Sequence, residues 1–267
     1  MKINFDLHTH TVYSHGKGTI AENAATAKEK GLYGIGITDH GFSHPAFGMR
    51  RKKLGRMRAD CTAAEKEYGV KVLLGIESNL RGECGSIDVE ESDYPKLDLI
   101  LAGVHRFIFY KSFGDFAHLL CGNIFRSVLK SAPSERLVKY NTRCYVNAVK
   151  YNPIDVLTHV GYLCFTDPVE VAKVCADYGT YIEINTKKTH MTDEQWRKVI
   201  DTGVRFVIDS DAHTTDRIGD IALAEELFRR VDFPLDRIDN IDGRLPDLRF
   251  ARYKKEHGIE PFNPITL

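Results

Sequence analysis

The chain has 267 residues, and its 37 basic and 37 acidic side chains cancel to no formal net charge, so nothing global draws it to a polyanion such as duplex nucleic acid. Its length suits one barrel-like domain over residues 1–267, since such barrels run to about 250 residues as a unit. Six scattered cysteines without a C-x-x-C pair argue for reduced thiols, and neither a leader-like N-terminus nor an apolar run near the roughly 18 residues of a membrane span is present, which leaves a cytoplasmic protein as the expectation.

Seven short segments rich in Ile, Val, Leu and aromatic residues read as buried parallel strands, at 3–7, 33–38, 70–76, 97–104, 155–158, 180–184 and 205–208. Helical patterns separate them. Thr19-Ile20-Ala21-Glu22 has the form of a capping box, and Gly31, Gly69, Gly179 and Gly203 fall where helices should stop. This alternation allows an open doubly wound sheet or a closed barrel. The strand ends decide between them. His8 and His10 follow the first strand, Asp39 and His40 the second, Glu77 the third and His105 the fourth. His159, Glu183 and the pair Asp211 and His213 follow the last three. Only a barrel gathers all its strand C-termini into one mouth.

Between the fourth and fifth strands the segment 106–133 breaks the pattern, with Phe107, Phe109, Tyr110, Phe113, Phe116 and Phe125 spaced by glycines, before a helix expected at about 134–151. It reads as an insertion at the barrel mouth, either a substrate lid or a small satellite core. The stretch after Asp232 is turn-rich and is expected to pack as coil and a short helix against the barrel.

In Asp6-Leu7-His8-Thr9-His10, two imidazoles two residues apart project from one face of an extended segment, and Asp211 and His213 repeat that spacing. Imidazole nitrogen and carboxylate oxygen suit Zn, Mn or Fe, while an iron–sulfur cluster or Cu(I) would want thiolate. The strand ends carry more ligands than one ion needs, and neutral imidazoles cannot offset several divalent charges, so two or three ions and a bridging carboxylate are expected, with Glu77 the natural bridge.

The motifs DLHTHT, ITDHG, GIE, GVH, LTHVG and SDAH, spread over residues 6–213, resemble the successive motifs of the PHP (polymerase and histidinol phosphatase) superfamily. The chain is most similar to its stand-alone bacterial phosphatases of the YcdX type. The resemblance implies a distorted (β/α)7 barrel with a trinuclear metal centre. It implies that His8, His10, Glu77 and Asp211 hold one ion, that Glu77, His105 and His159 hold a second, and that His15, His40 and His213 hold a third.

The expected chemistry is hydrolysis of a small-molecule phosphate monoester, histidinol phosphate or a similar compound. Two ions about 3.5–4 Å apart lower the pKa of a shared water enough to give an attacking hydroxide. Catalysis then rests on Glu77, His105 and Asp211 at the reacting centre, on electrostatic stabilisation of the phosphoryl oxygens, and on no covalent phosphoenzyme. Asp39, beside His40, is expected to accept a ring N–H from a ligand histidine. Arg106 and Lys187 are the candidates to bind phosphate, followed by Lys188 and Arg217, each weighed against a solvated surface charge. Three other readings fit the sequence less well. A PHP-type phosphodiesterase or exonuclease lacks the clustered basic residues of a nucleic-acid groove. An amidohydrolase would show eight strands and a strand-end lysine. A non-catalytic metal domain would need only four ligands. Self-association into a homo-oligomer is left open.

Overall fold

The computed structural model of the protein describes residues 1–260 and Ile265. Seven parallel strands lie in sequence order, β1 (Phe5–Thr9), β2 (Gly34–Ile37), β3 (Lys71–Asn79), β4 (Leu99–Gly103), β5 (Val156–Leu157), β6 (Tyr181–Asn185) and β7 (Phe206–Asp209). Helices α1 (Ile20–Glu29) and α2 (Leu54–Tyr68) connect the first three strands, and α3 (Phe113–Asp115), α4 (Asn123–Val128) and α5 (Glu135–Tyr151) fall between β4 and β5. They are followed by α6 (Pro168–Tyr178), α7 (Asp193–Ile200), α8 (Ala222–Arg230) and α9 (Arg249–Glu256). The capping box at the start of α1 forms as expected, with Thr19 and Glu22 exchanging bonds. Gly69 and Gly179 end α2 and α6 in the left-handed conformation, which costs glycine little.

The sheet curls into a nearly closed barrel. At the mouth β1 meets the segment after β7 through a bridge between Thr9 and Ala212, with the His10 amide donating to the Ala212 carbonyl at 2.8 Å. Lower down the two strands do not pair directly. The Asn240 amide fills the gap: Nδ2 donates to the Phe5 and Ile208 carbonyls at 2.7 and 2.6 Å, and Oδ1 accepts from Ile208 N at 2.9 Å. The turn-rich stretch after Asp232 thus packs against the barrel by completing its seam, and α9 covers the lower end, where Leu248 and Ala251 join the interior cluster.

Side chains on a strand alternate between its two faces. Phe5, Leu7, Leu73, Leu99, Leu101, Val156, Tyr181 and Val207 fill the barrel interior, while Ile35, Ile37, Val72, Leu74, Ile100, Ile182, Phe206 and Ile208 face the helices. Continuing the inward positions upward gives Glu77 above Leu73, His105 above Leu101, Glu183 above Tyr181, and Asp209 and Asp211 above Val207. The lining changes from apolar to ionisable at one level. A register shift between Asp6 and Thr9 interrupts this alternation in β1, so His8 joins the inward set directly above Leu7. His8, Glu77 and Glu183 lie within the last residues of their strands, so β1, β3 and β6 run further toward the mouth than the sequence predicts.

The segment 106–133 is mostly helical. Ser112 caps α3, a π-helical turn at Phe116–Gly122 follows, and α4 continues the same rod. Asp115 fixes it in place by accepting from Ser112 Oγ at 2.6 Å, Tyr140 Oη at 2.6 Å and the Glu83 amide at 2.8 Å. Leu119 and Leu120 are buried, as a satellite core requires, but Phe109, Phe113, Phe125 and Val128 are exposed. The aromatic residues expected to build that small core therefore lie largely outside it. No helix among the described residues is long and apolar enough to cross a membrane.

Candidate metal centre

The Glu77 carboxylate is the hub of the mouth. Its Oε1 lies 2.7 Å from His159 Nε2, 3.1 Å from His105 Nε2 and 3.3 Å from His8 Nε2, while Oε2 lies 2.8 Å from His40 Nδ1 and 3.6 Å from His10 Nε2. Asp211 Oδ1 stands 3.4 Å from His10 Nε2 and 3.3 Å from His213 Nδ1. The His15 ring stacks on His40 at 4.9 Å and meets His213 edge-on at 4.4 Å. The structure thus brings all nine expected ligands into one cluster. Seven of the nine fall into three overlapping sets of close donor atoms, His8 with His10 and Asp211, His40 with Glu77 and His105, and His10 with His40 and His213, while His159 joins through its contact with Glu77. This grouping differs from the expected one in placing His40 beside Glu77, with His15 adjoining the third set through its ring contacts. Gly103, in the GVH motif, leaves room for the hub, because a Cβ there would come within 2.6 Å of His159 Cε1.

A second ring of groups orients these imidazoles. His8 Nδ1 faces Glu183 Oε1 at 2.6 Å, and Glu183 Oε2 accepts from the His159 amide at 2.7 Å and Asn185 Nδ2 at 2.9 Å. His105 Nδ1 faces Asn79 Oδ1 at 2.8 Å, and Asn79 Nδ2 donates to Asp88 Oδ2 at 2.6 Å. Each acceptor keeps a proton on Nδ1, so Nε2 is the nitrogen turned toward Glu77 and the one that can serve as a metal ligand once it gives up its own proton. Asp39 does something else than expected. Its carboxylate accepts from Thr11 N at 2.8 Å, Thr11 Oγ1 at 2.6 Å, Ser14 N at 3.1 Å and Ser14 Oγ at 2.5 Å. It therefore fixes the loop that carries His10 to His15 and bonds to no ligand ring. Burial pushes its carboxyl up to about 6 despite those bonds. Beneath the site Asp6 accepts from Ser210 and Gly219, and Asp209 accepts from the Leu7 amide at 2.7 Å. Sequence reading had missed Asn79 and Asp88, although Asn79 stands two residues beyond Glu77 on the same strand face.

The electrostatics suit a divalent cation. Burial would raise the Glu77 and Asp211 carboxyls, but the surrounding histidines outweigh it and hold both well below the usual carboxylate range. Burial lowers His10 well below its ordinary value and takes His15 and His40 to about 4, so these rings are neutral at neutral pH. His8 and His105 move the other way. Burial opposes their charged forms, yet the adjacent carboxylates raise both. Glu77 Oε2 is buried without a properly aligned hydrogen bond. Ionised carboxylates among imidazoles, with a buried oxygen left over, form a donor set that a metal ion would satisfy.

A cavity of about 290 Å³ opens over this cluster, lined beyond the expected ligands by His44, Phe47, Arg106, Phe107, Tyr162, Leu163 and Lys187. Arg106 lines this cavity, and its Nε is buried without a hydrogen-bond partner. Lys187 Nζ lies 3.3 Å from Asp211 Oδ1 and 3.2 Å from His213 Nδ1. Arg217 is turned away, donating to Asp220 and to the Thr186 carbonyl, and Lys188 does not line the cavity. His190 packs on Tyr162, while His118 and His257 stack on Tyr140 and Tyr253 at the surface. A larger cavity of about 660 Å³ lies at the other end of the barrel. Its Arg205 and Arg252 are paired with Asp239 and Asp247, and Arg244 donates to two carbonyls, so it offers no comparable chemistry.

A model of the PHP domain matches residues 6–187. Over 277 residues, covering 100% of both chains, the sequence is 31% identical to a Shewanella loihica protein named "Probable phosphatase". It is 29% identical over 273 residues to a Thermoanaerobacter sp. (strain X514) protein of similar name, covering 97% of this chain and 100% of the other. Among solved structures, the histidinol phosphate phosphatase of Lactococcus lactis subsp. lactis Il1403, determined with zinc, L-histidinol and phosphate, superposes with a TM-score of 0.57 at 14% identity, covering 92% of this chain and 100% of that one. That likeness is one of fold.

Proposed function

The chain belongs to the PHP domain family, and from that premise we propose that it is a metal-dependent phosphatase whose nine-residue cluster holds two or three divalent ions and hydrolyses a small-molecule phosphate monoester. The observation that carries this reading is the Glu77 carboxylate, surrounded by five imidazoles with histidines on both of its oxygens. His8, His10, Glu77 and Asp211 would hold one ion, Glu77 with His105 and His159 another, and His15, His40 and His213 a third. Zn, Mn or Fe bound there would supply Lewis-acid polarisation and a lowered pKa for water.

The chain's own residues account for the rest. Glu183 and Asn79 hold His8 and His105 in the orientation the site needs, and Asp39 holds the loop bearing His10 and His15. Arg106 has no carboxylate partner among the described residues and would bind a phosphoryl oxygen. Lys187, whose Nζ neighbours Asp211 and His213, would bind the same anion. Local cations of this kind suit a compact dianion, and among the described residues lining the cavity Arg106 and Lys187 are the only Lys or Arg side chains, fewer than a polynucleotide groove would need.

The test is phosphate release from a panel of monoesters, histidinol phosphate among them, and one diester, using chelator-stripped protein refilled separately with Zn, Mn and Fe. Turnover of a monoester only after refilling is the expected result. Refilled protein that releases nothing from either ester class would overturn the proposal, and a marked preference for the diester would replace its substrate class.

A further inference from the structure

Six non-glycine residues among those described have positive φ, and four of them line the mouth cavity: Phe107 at 58°, His159 at 35°, Leu163 at 55° and Asp211 at 49°. Left-handed backbone is unfavourable for L-residues and is kept where the surrounding structure or a function requires it. His159 and Asp211 are expected metal ligands. Phe107 and Leu163 are not, and they are apolar.

Two further aromatic residues, Phe47 and Tyr162, line the same cavity. Phe47 stands 4.8 Å from the His15 ring, and Tyr162 stands 5.1 Å from His159. Phe47 is 46% and Phe107 63% exposed, so two large rings at the entrance face water. The cavity contains no carboxylate apart from Glu77 and Asp211, and its remaining charges, Arg106 and Lys187, are both positive. With Glu77 and Asp211 taken up by metal on the phosphatase reading, an ammonium group would meet only those positive charges. A ring face would find Phe47, Phe107 and Tyr162.

Resting on the phosphatase reading above, we infer that Phe107, Leu163, Phe47 and Tyr162 form the subsite for the alcohol part of the ester, and that this alcohol carries an uncharged aromatic ring. Phe107 is the specificity-determining residue, held toward the mouth at the expense of its backbone. Aromatic rims also cage quaternary ammonium groups, which makes phosphocholine the informative competitor.

The experiment separates this inference from the phosphatase reading by measuring binding as well as turnover. Calorimetry on metal-loaded protein compares benzylphosphonate with n-butylphosphonate, which differ in the ring and cannot be hydrolysed. Turnover compares benzyl phosphate, n-butyl phosphate and phosphocholine. The benzyl compound should be favoured about tenfold in Kd and in kcat/KM, the scale of a ring–ring contact added to burial. Phe107→Gly should remove that preference while raising Tm, since glycine relieves both the positive φ and the exposed ring, and Phe107→Tyr should retain the preference. Equal binding of the two phosphonates, a preference untouched in Phe107→Gly, or phosphocholine as the best substrate would each overturn the inference. If the phosphonate preference holds but no monoester is hydrolysed, the ring subsite stands and the phosphatase reading fails.

Discussion

An imidazole can hold a metal only when its other nitrogen keeps the proton, so the groups behind the rings decide how well the site works. At His105 that control runs through two residues: Asp88 fixes the Asn79 amide, and the amide oxygen fixes the ring. Asn79→Ala should therefore weaken metal binding by about 10- to 100-fold, the range found when such supports are removed, with the fold intact. A competition titration against a chromophoric chelator reads this directly, and an unchanged affinity would show that Asn79 is only a strand-end filler. All the histidines and carboxylates of the cluster but His15 were legible in the sequence as ionisable groups at the ends of apolar runs, whereas His15, in the loop after β1, was reached only through the family resemblance. Asn79 carries no charge and Asp88 lies in a loop, so neither produced a comparable signal. Asp39 was legible as important by its place beside His40, but its partners Thr11 and Ser14 lie across the fold, and sequence adjacency pointed to the wrong contact.

At the level of elements, the seam between β1 and β7 is the least regular part of the barrel, and one side chain replaces a stretch of missing ladder there. Asn240 is fully buried and satisfies three backbone groups. Asn240→Ala would leave those groups unpaired and out of reach of solvent, at a cost of about 3 kcal/mol in unfolding free energy. Urea denaturation should show that loss, and a change under about 1 kcal/mol would mean that water or backbone movement substitutes for the amide. All seven strands could be located from their apolar runs, to within a few residues. The seam could not, because it joins residues 5 and 240 through an amide that reads as an ordinary turn asparagine. The helical character of 106–133 was equally hidden. Its aromatic side chains face solvent, which obscures the amphipathic period by which a helix is recognised.

For the molecule as a whole, a chain of zero formal charge concentrates its functional charge at one end of a barrel, where the inward stripe of every strand but β2 and β5 turns from apolar to ionisable within one to four residues. Glu77 is the point on which the proposed activity depends, being the one carboxylate among the described residues that reaches histidines of β1 and of the segments after β2, β4 and β5 at once. The most direct test is elemental analysis of the same purified preparations that are assayed for monoester hydrolysis, for the wild-type chain and for Glu77→Gln, which keeps the side chain's size and removes its charge. The expected result is two to three divalent ions per wild-type chain, with turnover rising in proportion to metal content, and loss of both bound metal and activity in Glu77→Gln. Full hydrolysis by wild-type protein holding far less than one ion per chain, or by Glu77→Gln, would contradict the account.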